Sequence, residues 1–370
     1  MKIEAVIRKG VVQTERRKFR EKLAQRPSYL RLDLNENLID IPSSAFDEFL
    51  QGLTPEMLSA YPELSRVYKA VSKFFDIGED MIVLTNGSDL AVKTLFDSCI
   101  DAGDHILVHD PFYLMYARYS EFFEADLETV PVLDNWKPDL SEMSRRLRPN
   151  TKMVILETPS GNLGSSADFD DIAHLAQELE LRNVLLVIDE AYLFVESGDS
   201  RFLDLQKRHK NIVILRTFSK VFGLAGARIG AVIASPELTQ QFYKVRPLYE
   251  ISALAAHAVE WRLGQPQLLS AYQKTMRESK EWLKARLEEL RIPCRDGAGN
   301  FVVIYVPDGD RGPFFDLAKE KGVLIGKPFY QPQLRGWWRV TVGSLPQCKT
   351  FINALSDSVA SPDPATANEI

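Results

Sequence analysis

Lys220 is the residue of this chain best suited to chemistry, because it follows the apolar strand candidate Ile212 to Leu215 in the run TFSKVFGLAGARIG at 217–230. A desolvated lysine amine loses its proton readily, and a free amine can hold an aldehyde as a Schiff base. Ser219 beside it and Arg228 beyond a glycine-containing turn add a hydroxyl and a guanidinium fork, groups that grip an anion such as phosphate. A second run, VIDEAY at 187–192, ends an apolar strand on Asp189 and sets Tyr192 three residues later. In open α/β sheets ligands gather at the carboxyl ends of strands, and an acid there can pair with a protonated ring nitrogen. A third, NGSDL at 86–90, opens a helix on Ser88 and Asp89 behind Gly87, where free backbone N–H groups favour a phosphate. Taken singly, these are a solvated lysine, a strand-end acid and a good N-cap. Their coincidence outweighs those plainer readings.

The elements that must position these residues follow from periodicity. From about residue 80 to 234, short β-rich runs alternate with segments of helical period, which predicts an α/β sheet with helices on its faces. The strand candidates are Met81 to Leu84, Ile106 to His109, Leu127 to Val130, Met153 to Leu156, Val184 to Ile188, Ile212 to Leu215 and Ala231 to Ile233. Several are continuously apolar, as strands covered on both faces should be. Helices are expected at Asp89 to Ile100 and Phe169 to Leu179, each with one apolar face toward the sheet. A long helix at Leu268 to Leu290, strands at Phe301 to Val306 and Trp338 to Val342, and a helix at Phe314 to Lys321 predict a smaller α+β domain. The chain therefore divides into an N-terminal arm with part of the small domain (1–44), a large domain (45–250), the small C-terminal domain (251–356) and a polar, disordered tail (357–370).

Composition narrows the partners. The 370 residues carry a net charge of −6 with 45% hydrophobic and 26% charged residues, an ordinary globular balance that argues against nucleic acid. The basic residues Arg8, Lys9, Arg16, Arg17, Lys18, Arg20, Lys22 and Arg26 of the first 30 positions are interrupted by Glu4, Glu15 and Glu21, as on a wet helix face or arm. Cys99, Cys294 and Cys348 are too few and too scattered for a disulfide framework or a zinc knuckle, so no metal site is expected. No apolar run approaches the roughly 18 residues that span a bilayer, and no secretory signal opens the chain. A cytoplasmic protein without membrane contact is expected.

In order, LDLNENL at 32–38, Tyr61-Pro62, NGSDL, DPFYLMY at 110–116, DEAY, TFSKVFGLAGARIG and RVTVG at 339–343 make seven motifs. Over roughly residues 30 to 355 they resemble the fold-type I pyridoxal-phosphate enzymes, and among them the histidinol-phosphate aminotransferase branch of the class I/II aminotransferases. The resemblance implies a large domain with a mostly parallel mixed sheet, a homodimer, and pyridoxal 5′-phosphate as cofactor. It implies that Lys220 holds the cofactor aldehyde covalently, Asp189 pairs with the pyridine nitrogen and Tyr192 hydrogen-bonds the ring hydroxyl. Ser88, Asp89, Ser219 and Arg228 would serve the phosphate end, Tyr113 would stack on the ring, and Tyr61 would reach the phosphate across the dimer interface. Arg339 would bind a substrate carboxylate bidentately, and Asn37 of LDLNENL would also face substrate.

Departures from the family pattern raise separate expectations. Where the family has Asn-Asn-Pro-Thr-Gly, this chain has TPSGNLGS at 158–165, so Gly161 falls at the ring-contacting Asn and Asn162, one step on, is expected to reach the ring or to be a plain turn residue. Where an arginine grips a substrate phosphate, VLIGKPF offers Lys327, a point charge or simply a solvated strand end. Glu250 stands where the family commonly has Asn and, if it faces the substrate channel, favours a basic or polar substrate over a phosphate. Leu90 replaces an acid, without evident consequence. The expected activity is transamination between an amino acid or amine and a 2-oxo acid. A decarboxylase of the threonine-phosphate type and a non-catalytic ligand sensor are the alternatives.

Overall fold

The computed structural model describes residues 6–15, 26–195, 201–306 and 311–359. The basic cluster at Arg16 to Lys22 and the end of the expected disordered tail, 360–370, lie outside the described residues. Among those described, seven strands form the main sheet: β1 Ile82–Thr85, β2 His105–Asp110, β3 Asp126–Pro131, β4 Thr151–Glu157, β5 Leu185–Asp189, β6 Ile212–Thr217 and β7 Gly230–Ile233. Every strand candidate in the large domain falls on one of them. Their spatial order is β1-β7-β6-β5-β4-β2-β3, and β7 alone is antiparallel to its neighbours, so the sheet is mixed but mostly parallel.

Successive strand side chains point to opposite faces, which explains the unbroken apolar runs. Leu84, Leu107, Val154, Leu156, Ile188 and Ile214 enter one buried cluster, while Val83, Ile106, Val108, Ile155, Val187 and Leu215 enter the other. Helix Gly87–Cys99 buries Ala91, Val92, Leu95 and Phe96 on the second face, and helix Phe169–Leu181 buries Ile172, Leu175, Ala176 and Leu179 on the first.

Cys294–Asp296, Phe301–Tyr305 and Trp337–Thr341 form a three-stranded antiparallel sheet, with the long helix Pro266–Glu289 preceding it. Leu30–Leu32 pairs in parallel with Val323–Ile325. That pairing brings the LDLNENL run to the C-terminal part of the chain and, through Asn35, to the cleft. The carboxyl ends of β4, β5 and β6, at Glu157, Asp189 and Thr217, open on one edge of the large sheet. The turn after β1 joins them there, because Thr85 and Thr217 both register with Gly230. No described helix is long and apolar enough to cross a membrane.

Candidate active site

At that edge lies a cleft of about 490 Å³, and the residues around it come from separate parts of the chain. Lys220 reaches it because its neighbours anchor the loop after β6: Phe218, Val221 and Phe222 are buried. The loop is closed by Gly223 N–H donating to Lys220 O at 2.9 Å and Phe218 N–H to Ile229 O at 3.0 Å. Lys220, beside Ser219, is left as the charged residue of an otherwise apolar run. Its Nζ donates to Leu34 O at 2.9 Å and lies 5.5 Å from the centre of the Tyr192 ring.

Asp189 closes β5 and is buried. Its Oδ2 accepts from the Tyr116 hydroxyl at 2.7 Å and its Oδ1 from Ala191 N–H at 3.1 Å. Burial pushes this carboxyl up, while the two donors and the Lys220 charge favour its ionised form. Tyr192 accepts at its hydroxyl oxygen from Asn35 Nδ2, 2.9 Å away. Asn35 is locked in turn: the Thr341 hydroxyl donates to its Oδ1 at 3.0 Å, and its backbone is left-handed at φ 52°, a conformation asparagine tolerates.

The anion end is built by close packing. Gly87 has φ +77°, and a Cβ there would sit 2.5 Å from Arg228 Nη2. Gly230 lets β7 approach the first turn of helix Gly87–Cys99, since a Cβ would meet Gly87 C and Ser88 N at 2.8 Å. Arg228 itself is left-handed at φ 57°, a conformation that costs a non-glycine residue roughly 1 kcal/mol, and it pairs with Asp89 at 3.5 Å. The Tyr113 hydroxyl also donates to Asp89. Arg339 donates to Gly161 O at 2.6 Å and to Asn162 Oδ1 at 3.4 Å.

Thus Ser88, Asp89, Tyr113, Asn162, Asp189, Tyr192, Ser219, Lys220, Arg228 and Arg339 all line one cleft. The other four candidates do not. Asn37 is used internally, donating to Val221 O at 3.0 Å and accepting from Ile39 N–H at 2.9 Å. Tyr61 is 80% exposed, stacked on Tyr249 at 4.6 Å, and lines a separate cavity of about 310 Å³. Lys327 is exposed beyond strand Val323–Ile325 and does not line the cleft. Glu250 corrects an expectation: it is buried and bound to Arg246 at 2.5 Å, off the cleft lining. Its Oε1 is paired within the chain, its Oε2 is buried without a hydrogen-bond partner, and neither faces the cleft, so it gives no ground for expecting a basic substrate.

Three residues escaped sequence reading: Asn35, Glu157 and Tyr116, the last of which donates to Asp189. Asn35 sits two positions before Asn37 in the same motif, and only the fold shows which asparagine turns inward. Glu157 also lines the cleft, accepting from Gly161 N–H at 3.0 Å and from Tyr113 N–H. An acid ending an apolar strand was the available signal, the same one that singled out Asp189.

A family model for aminotransferases of class I and II matches residues 27–355. Histidinol-phosphate aminotransferase 1 of Trichormus variabilis is 29% identical over 330 residues, covering 89% of this chain and 91% of that protein. The histidinol-phosphate aminotransferase of Geobacter sulfurreducens is 29% identical over 338 residues, covering 89% and 93%. Among solved structures, histidinol-phosphate aminotransferase from Sinorhizobium meliloti in complex with pyridoxal-5′-phosphate matches with a TM-score of 0.85 at 21% identity, over 96% of this chain and 97% of that one. Aspartate aminotransferase from Thermus thermophilus with maleate matches at 0.77 and 16% identity, over 95% and 99%. At those identities the structures show the shared fold, whereas the family model spans nearly the whole cleft-bearing chain. The chain belongs to the class I and II aminotransferase family, the fold-type I enzymes that depend on pyridoxal phosphate, and is histidinol-phosphate aminotransferase-like.

Proposed function

We propose that this aminotransferase moves an amino group between an amino acid or amine and a 2-oxo acid, with pyridoxal 5′-phosphate held in the 490 Å³ cleft. One observation carries the assignment of the site: the cleft is polarised, with a lysine amine at its wall, a buried acid at its floor, and an arginine beside a helix N-terminus at its far end. Those groups match the aldehyde, ring nitrogen and phosphate of this cofactor in kind. The tight approach of Gly87 and Gly230 to Arg228 and Ser88 leaves the cradle shaped for a small tetrahedral anion.

The bound cofactor supplies an aldehyde to take up the amino group and a ring to delocalise the charge left when the substrate's α-carbon loses its proton. The rest falls to the chain. Lys220 would hold the aldehyde, and its amine would serve as the base for the substrate's α-proton. Asp189 keeps the ring nitrogen protonated, and the hydroxyls of Tyr116 and Tyr192 stiffen the two sides of the floor. Ser88, Ser219 and Arg228 hold the phosphate. Tyr113, tethered through its hydroxyl to Asp89 and through its N–H to Glu157, covers the ring face. Arg339 takes the substrate carboxylate in a bidentate pair; its present partners, Gly161 O and Asn162 Oδ1, hold the guanidinium ready.

The protein works as a homodimer in this reading. Leu58, Tyr61, Leu248 and Tyr249 expose 77%, 80%, 74% and 48% of their surface, an apolar patch suited to a second copy that brings Tyr61 to the neighbouring phosphate. Its unpaired cysteines suit the reducing cytoplasm, where we place it. We set the boundary between the cofactor-binding and smaller C-terminal domains near residue 250.

The experiment is a spectroscopic screen of the purified holoprotein with amino acids and amines, histidinol phosphate included. Bleaching of the cofactor band with 2-oxo acid formation supports transamination, and carbon dioxide without 2-oxo acid supports the decarboxylase. Retained colour and activity in Lys220→Ala would remove the assignment.

A further inference from the structure

Glu157 ends β4, and its Cα partner across the ladder is Asp189 at the end of β5. Two carboxyl groups thus stand on adjacent strand ends, 3% and 5% exposed. Buried acids so close do not both stay ionised, and their surroundings decide which keeps the proton. Burial and the Glu190 charge push Asp189 up as well, but it has the Tyr116 hydroxyl, the Ala191 N–H and the Lys220 charge in favour of its anion. Glu157 has the N–H groups of Tyr113 and Gly161 and the more distant Arg339, but burial and then Asp189 push it up to about 8. His109 of β2, which accepts Glu157's own N–H at 3.1 Å, brings no charge because burial pushes it down to about 4. At neutral pH the proton therefore resides on Glu157.

An independent observation concerns the space at Gly161. A Cβ at that position would lie 2.8 Å from Tyr192 Cε2 and 3.4 Å from Glu157 Oε2. The Tyr192 ring and the Glu157 carboxyl already fill the ground a longer side chain would need. Both belong to the cleft wall.

We propose that Glu157 is a further cofactor-contacting residue, its protonated carboxyl donating a hydrogen bond into the cleft beside Tyr192, on the side that takes the ring oxygen. This rests on the reading of the cleft as the pyridoxal-phosphate site. Oε2 can accept from Gly161 and still carry the donated proton, so the amide contacts and the new one coexist. A neutral donor there stabilises an anionic ring oxygen and lowers the pH at which the loaded protein changes colour. An ionised carboxylate would repel that oxygen and raise it.

The test titrates the absorbance of pyridoxal-phosphate-loaded wild type, Glu157→Gln and Glu157→Leu against pH. Glu157→Gln keeps a neutral donor and is expected to hold the midpoint, while Glu157→Leu loses it and moves the midpoint up by about one unit, or tenfold. A downward shift in both variants, or no shift in either, overturns the proposal. Should Glu157→Leu fail to fold, the infrared band of a protonated carboxylic acid is compared in wild type and Glu157→Gln at pH 7. It is expected in the first and missing from the second, and an unchanged spectrum overturns the proposal. A wild type that stays colourless with the cofactor removes the functional reading and this inference with it. Colour that ignores position 157 removes this inference alone.

Discussion

Replacing Gly230 with alanine tests the packing that shapes the anion cradle. The added methyl would lie 2.8 Å from Gly87 C and Ser88 N and 3.1 Å from Arg216 O. All three are backbone atoms, so no side chain can swing aside. Ordinary contact begins at 3.4 Å, and the first turn of helix Gly87–Cys99 must retreat by about 0.6 Å from β7. Overpacking of this kind costs about 1–3 kcal/mol. The same retreat carries Ser88 and its N–H away from the phosphate. A hydrogen bond to a charged group is worth about 1.5–3 kcal/mol, so cofactor affinity should fall roughly tenfold or more. Urea denaturation of the cofactor-free protein reads the first effect, and titration with pyridoxal phosphate followed by absorbance reads the second. If Gly230→Ala unfolds at the wild-type urea midpoint and binds cofactor within twofold of wild type, the close approach of β7 to this helix is not what builds the site.

Arg228→Ala should weaken pyridoxal phosphate by roughly 10- to 100-fold, since it removes a charge-assisted contact to phosphate, and fluorescence titration of the apoprotein checks this. Arg216→Met should cost about 3–5 kcal/mol in urea denaturation, because it removes the guanidinium 2.8 Å from the Glu190 carboxylate in an ion pair whose side chains are both buried. The pH dependence of stability has a definite sign. Glu157, pushed up to about 8, binds more protons folded than unfolded, so its contribution declines as pH rises from the ordinary glutamate range to about 8, by at most roughly 1.4 kcal/mol per unit. His109, pushed down to about 4, acts in the opposite sense up to about 6.5. The wild-type decline should therefore emerge between about 6.5 and 8 in the cofactor-free protein and flatten in Glu157→Gln; an unflattened decline would contradict the proton placed on Glu157.

The parts of this protein legible in its sequence are those governed by local periodicity and by short motifs. Most strands of the main sheet announced themselves because residues such as Met153 to Leu156 are buried on both faces and so are apolar without alternation, while the edge strand Asp126–Pro131, half-exposed, keeps Glu128 and Thr129. Lys220 and Asp189 stand out in the sequence for a related reason: each is a polar residue at or just after the end of a buried strand, where its cost of desolvation calls for a use, whereas the exposed Arg228 is marked only by its motif. The sequence also marked Gly161 as a departure, though not what fills its place.

Tertiary structure alone decided contacts between distant segments. Asn35 bonds Tyr192 because the pairing of Leu30–Leu32 with Val323–Ile325 carries the N-terminal motif to the cleft, a juxtaposition across 157 positions that no window of sequence contains. Glu157 acquires its character from Asp189, a neighbour in the ladder but 32 residues away in the chain, seen only once the register is known. Glu250 lost its expected part through a nearer contact: Arg246, four positions before it and just past helix Pro236–Val245, pairs with it away from the cleft lining. Hydrophobic periodicity tells a residue whether to be buried; which other buried residue it meets, and therefore which acid keeps a proton, is set by strand order and register.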